Sequence, residues 1–131
     1  MRKVKRLVAL MFTVVVIFAI TVPVKANSTE QGGVGGYTIT AVSYVGATGA
    51  YGSTSSSTYN PNIIAEVTSA TYICIKPYTT DTVTLNGSAW DYSSATKSFT
   101  APSGYRSSSI ACSHKATLGA QTWTTSTDAL L

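Results

Sequence analysis

Hydrophobic and polar residues alternate along most of this chain with a period of two, and nothing beyond residue 26 sustains the 3.6-residue period of a helix. The clearest run is 63–76. There Ile63, Ala65, Val67, Ser69, Thr71, Ile73 and Ile75 fall on one face, with Glu66, Thr68, Ala70, Tyr72, Cys74 and Lys76 on the other. Its length predicts a bulge near Ser69, and Pro77 ends it. A second long strand is predicted over 105–118, with Ile110, Cys112, His114, Ala116 and Leu118 on one face. Gly119 and Ala120 turn it into a last strand over 121–127 that carries Trp123.

Residues 37–45 are β-forming with both faces fairly apolar, and 97–101 form a short strand closed by Pro102, Ser103 and Gly104. Between 82 and 92 two short strands are expected around Asn86 and Gly87, whose tolerance of left-handed backbone suits a tight hairpin turn. Trp90 falls just past that turn. Residues 46–62, punctuated by Gly46, Gly49, Gly52, Asn60 and Pro61, read as a loop with a short strand near 50–53. Residues 27–36 end in Gly32, Gly33, Val34, Gly35 and Gly36 and read as a flexible lead-in. Six to eight strands with Gly or Pro turns predict one all-β domain over 37–131, an antiparallel β-sandwich or a small barrel.

The first 26 residues are of a different kind. Arg2, Lys3, Lys5 and Arg6 precede an uncharged, almost wholly apolar stretch over 7–22; Pro23 then breaks any helix, and Val24, Lys25 and Ala26 supply small residues at a cleavage position. This is the pattern of a signal peptide over 1–26, and it predicts a secreted, extracellular protein beginning near Asn27. Sixteen apolar residues fall short of the ~20 that a spanning helix needs, so an uncleaved anchor is the weaker reading. No stable membrane anchor is expected after cleavage.

Removing the leader reverses the charge. The whole chain carries a formal +4, whereas residues 27–131 hold Lys76, Lys97, Arg106 and Lys115 against Glu30, Glu66, Asp81, Asp91 and Asp128, four cations against five carboxylates. Four scattered cations cannot displace the counterions of a phosphate backbone, so no nucleic-acid partner is expected. Ser and Thr together make about a third of residues 27–131, a composition of β-surfaces rather than of a charged cytosolic enzyme.

Cys74 and Cys112 are the two cysteines, and in an exported chain they are expected to pair in one disulfide. Closing their 38-residue separation would stabilise the domain by about 2–4 kcal/mol. The order Cys74, Trp90, Cys112 resembles that of immunoglobulin-like domains, which set a cross-sheet disulfide against a buried Trp; Ile110 stands where antibody domains have Tyr. That resemblance covers three residues and implies a sandwich, not a function. Two distant cysteines and one histidine supply no zinc set, and no metal or cofactor is expected.

Catalytic motifs are sparse. A hydrolase would have to use His114, the one histidine, with Asp81, Asp91 or Asp128, yet no Gly-x-Ser-x-Gly turn marks a nucleophile. The five carboxylates of residues 27–131 show no glycosidase pairing. The aromatic residues say more. Trp90, Tyr92, Tyr105 and Trp123, with six further tyrosines, exceed what one small core absorbs, so several should reach the surface. The expectation is a non-enzymatic binding module that meets an extracellular glycan or a protein partner through Trp90, Tyr92, Tyr105 and Trp123. A small antibacterial or cytolytic protein with rearranging strands over 46–58 is the alternative, and a hydrolase using His114 comes third.

Overall fold

The computed structural model describes residues 26–131, and the signal-peptide expectation falls almost entirely outside them. Eight strands follow in order: β1 (Asn27–Val34), β2 (Tyr37–Gly46), β3 (Gly49–Ser56), β4 (Ile64–Ile75), β5 (Thr82–Tyr92), β6 (Ser94–Thr100), β7 (Arg106–Leu118) and β8 (Gln121–Leu130). They form two four-stranded antiparallel sheets, β1-β2-β3-β6 and β5-β4-β7-β8, packed as a β-sandwich with no helix among the described residues.

Strand β4 shows how sequence sets the core. Ile63, Ala65 and Val67 are buried, but beyond the bulge between Val67 and Ala70 the buried set becomes Ala70, Tyr72 and Cys74. The extra residue reverses the phase of the alternation, so Thr71, Ile73 and Ile75 end on the outer face. Strand β7 buries Ile110, Cys112, His114 and Ala116 in one phase, and Ser107 in the other, across a second register shift opposite Ile73 and Cys74.

Two apolar clusters fill the sandwich. Val45, Ala50, Val67, Tyr72 and Ile110 belong to one, against which Phe99 and Tyr105 pack. Val34, Ile39, Ile63 and Ala116 make the other, flanked by Leu118 and Trp123. Tyr72 stacks on Phe99 of the facing sheet with ring centroids 5.4 Å apart, and its hydroxyl meets Ser107 Oγ at 2.6 Å.

Both side seams are closed. Strands β5 and β6 are one long strand that changes sheets at Ser93, a buried residue with φ of 70°. The Ser93 N–H donates to Ile63 O at 2.8 Å, its carbonyl accepts from Ser56 N at 2.9 Å, and its hydroxyl accepts from Asn60 N at 3.0 Å. Those three bonds hold a left-handed conformation that a non-glycine residue rarely adopts. At the other seam the Trp123 indole of β8 lies against Gly32 of β1, where a methyl group would overlap it. Next to it Gly35 N donates to Gln121 Oε1 at 2.6 Å.

Several expectations are corrected. The supposed lead-in is β1, paired with β2 along its whole length through a turn in which Gly35 and Gly36 both have positive φ. Within the supposed loop, the short strand expected near 50–53 is the eight-residue β3, paired on both sides. Asn86 and Gly87 are not a turn but the middle of β5: Asn86 Oδ1 accepts from Thr71 Oγ1 at 3.0 Å, and Gly87 makes room for the Lys97 side chain. The chain reverses instead between Lys76 and Asp81.

The disulfide is also corrected. Cys74 and Cys112 are both free and buried. They lie in neighbouring strands of the same sheet, and Cys112 pairs with Ala70, four residues from Cys74. At ~3.3 Å per residue that separates their Cα atoms by about 13 Å, against the ~7 Å limit for a bridge. With Trp90 exposed, the immunoglobulin-like arrangement of a cross-sheet disulfide over a buried Trp is absent.

Candidate functional site

The outer face of the β5-β4-β7-β8 sheet carries the largest exposed aromatic pair. Trp90 and Tyr92 are two residues apart on β5, so both project from the same face; they are 62% and 52% exposed. Their rings stand edge to face, centroids 5.5 Å apart and planes at 84°, which leaves an open corner between them.

The register extends this corner across the sheet. Trp90 pairs with Glu66, Glu66 with Lys115, and Lys115 with Thr124, one residue from each strand at ~4.8 Å intervals. The next row runs Tyr92, Ile64, Thr117, Thr122. Beside these rows lies a shallow trough in two adjoining parts of about 410 and 520 Å³, lined in part by Thr68, Ser69, Ser113, Thr124 and Ser126. Its floor is low because Ala111, Ser113 and Ser126 are small, and the β4 bulge brings both Thr68 and Ser69 to the surface. Hydroxyls dominate the lining, with Lys115 and Asp128 as single opposite charges.

Of the four aromatic residues expected at a site, the fold brings Trp90 and Tyr92 together and separates the others. Tyr105 packs on the larger apolar cluster and Trp123 on the smaller. Tyr44 and Tyr51, paired across β2 and β3 on the opposite outer face, stack with centroids 5.4 Å apart and are each 39% exposed. Glu66, Lys115 and the trough hydroxyls were missed from sequence. Their adjacency depends on the β4–β7 and β7–β8 registers, which no local pattern encodes.

His114 lies under the trough, but it is buried and its imidazole turns into the core. Thr54 Oγ1 donates its one proton to Glu66 O at 2.7 Å, so across the 2.8 Å to His114 Nδ1 the imidazole must be the donor. His114 Nε2, 2.7 Å from Thr127 Oγ1, then accepts the Thr127 proton, and Thr127 is bonded in turn to Ser43. Burial lowers the His114 pKa to about 4, which keeps the ring neutral. The chain Ser43–Thr127–His114–Thr54 spans β2, β8, β7 and β3 and so ties the two sheets together between the two apolar clusters. Both ring nitrogens are engaged by threonines, and no carboxylate bonds to the imidazole, so the Ser–His–Asp arrangement expected of a hydrolase is not assembled around His114. Among the described residues no cluster of three or more His, Cys, Asp or Glu is placed to hold a metal ion.

No protein-family model matches this chain, and no curated protein or solved structure matches it.

Proposed function

We propose that this protein is a secreted, non-enzymatic binding module that takes an extracellular glycan on the outer face of its β5-β4-β7-β8 sheet. The observation that carries this reading is the exposed edge-to-face pair Trp90 and Tyr92 on the same outer face as a hydroxyl-lined trough, with Glu66 between Trp90 and the trough residue Lys115. A pyranose ring has an apolar C–H face and a belt of hydroxyls. The aromatic corner suits the first, and Thr68, Ser69, Ser113 and Ser126 suit the second. Covering roughly 100 Å² of ring surface contributes about 2.5 kcal/mol before the costs of association, so the trough contacts are needed for useful affinity.

Charge narrows the ligand. Lys115 stands beside Glu66, with Asp128 on the same face, which offers no cationic cluster for a polyanionic chain and favours an uncharged glycan. Secretion rests on the leader pattern of residues 1–26.

Two tryptophans make the test direct. Titrating neutral oligosaccharides should shift the fluorescence of the parent and of Trp123→Phe, while Trp90→Phe loses the response. A response that survives in Trp90→Phe, or a spectral change only with a protein partner, would refute the glycan assignment.

A further inference from the structure

Cys74 and Cys112 are held apart by the two central strands of one sheet. Cys112 pairs with Ala70 and Cys74 with Ser107, a stagger of four residues on β4 and five on β7. Bringing the sulfurs together requires sliding β4 past β7 by that amount, which undoes the pairing on which both apolar clusters are built. Each thiol also fills a niche of its own. Cys112 Sγ occupies the space over Gly52 of the facing sheet and touches the Ser43 hydroxyl, while Cys74 is fully buried beside the Tyr72 phenol. Burial pushes the Cys112 thiol up, with the Ser43 hydrogen bond acting weakly the other way, so the folded chain presents neither an accessible nor an ionised sulfur there.

The unfolded chain has none of these constraints. A flexible span of 38 residues keeps the two thiols at an effective concentration on the order of millimolar, and both are open to solvent.

We propose that the native sandwich and a Cys74–Cys112 disulfide exclude one another, so that folding of this domain is gated by redox state. The dithiol chain folds and shields its sulfurs. A chain oxidised before β4 and β7 pair is locked out of the native state. The oxidant is a low-molecular-weight disulfide acting by thiol–disulfide exchange: a thiolate of the protein attacks it and releases one reagent thiol, and the second protein thiolate then displaces the other. One S–S bond forms in the protein, one breaks in the reagent, and the two protons lost by Cys74 and Cys112 appear on the two reagent thiols. For an exported protein the consequence is an order of events, with sheet formation preceding contact with an oxidant.

The test is to unfold the purified protein in urea at low concentration, oxidise it with glutathione disulfide, and isolate the monomer that has lost two hydrogens by mass. On removal of urea, the untreated chain should regain its β-sheet circular dichroism and a cooperative thermal transition, with both thiols closed to a thiol reagent. The oxidised monomer should not refold, and dithiothreitol should restore it. The variant Cys74→Ala/Cys112→Ala should refold with or without the oxidant; should that variant not fold, recovery of the parent by dithiothreitol decides alone. An oxidised monomer with the native spectrum and transition overturns the proposal, as does failure of the bridge to form in urea.

Discussion

Thr54 and His114 come from opposite sheets and meet across 2.8 Å, the imidazole Nδ1–H donating to a hydroxyl whose own proton is committed to Glu66 O. This contact fixes the tautomer of the one histidine and leaves its other nitrogen to accept from Thr127. The groups facing the ring are hydroxyls, with the Cys112 thiol two residues away on β7; Glu66 and Lys115 project from the outer face.

The pH dependence follows from this environment. His114 titrates near 6.5 when unfolded and at about 4 in the native state, so between those values the unfolded chain binds a proton that the native chain refuses. Stability from this group is therefore fully present above pH 6.5 and falls as pH drops toward 4, by roughly 2–3 kcal/mol in all. Urea unfolding at pH 7.5 and 4.5 measures the difference, and His114→Gln should reduce it. An equal slope in parent and variant would remove His114 from the account.

Thr54→Val tests the hydrogen-bond chain at nearly constant volume. It deprives His114 Nδ1–H of its acceptor and Glu66 O of one donor, so it should cost about 2–4 kcal/mol, whereas Ser43→Ala, at the other end of the chain, should cost about 1 kcal/mol. Denaturant midpoints of the two variants give the ranking.

The β1–β8 seam depends on a missing side chain. Gly32→Ala places a methyl group in the Trp123 indole and should destabilise the domain by about 1–3 kcal/mol, with a change in Trp123 emission. Gly33→Ala is the control: its methyl would meet Tyr37 O at 3.3 Å, so the neighbour need give only slightly. Thermal midpoints and fluorescence of the pair check this.

Strands β4 and β7 were readable because their own residues alternate, and the bulge near Ser69 was readable from length alone. Strand β1 was not, and β3 was read only as a short strand near 50–53, since Gly32 and Gly52 carry no apolar signal; each glycine is explained by a distant side chain, Trp123 and Cys112, that needs the space. Asn86 and Gly87 misled for the same reason, because a turn-forming pair was placed in β5 by Thr71 and Lys97. At the site, the spacing of Trp90 and Tyr92 put them on one face, but nothing local said that this face was outside or that Trp123 pointed in. That distinction lies in the order β5-β4-β7-β8, which is set by long-range pairing.

The central claim is that Trp90 and Tyr92 form the ligand-binding corner, and it is tested most directly by retention on bacterial cell walls and insoluble neutral polysaccharides. Trp90 is exposed, so Trp90→Ala should keep the parent's circular dichroism and thermal midpoint while weakening retention about tenfold or more. Undiminished retention by a folded Trp90→Ala variant, or no retention of the parent on any of these materials, would contradict the account.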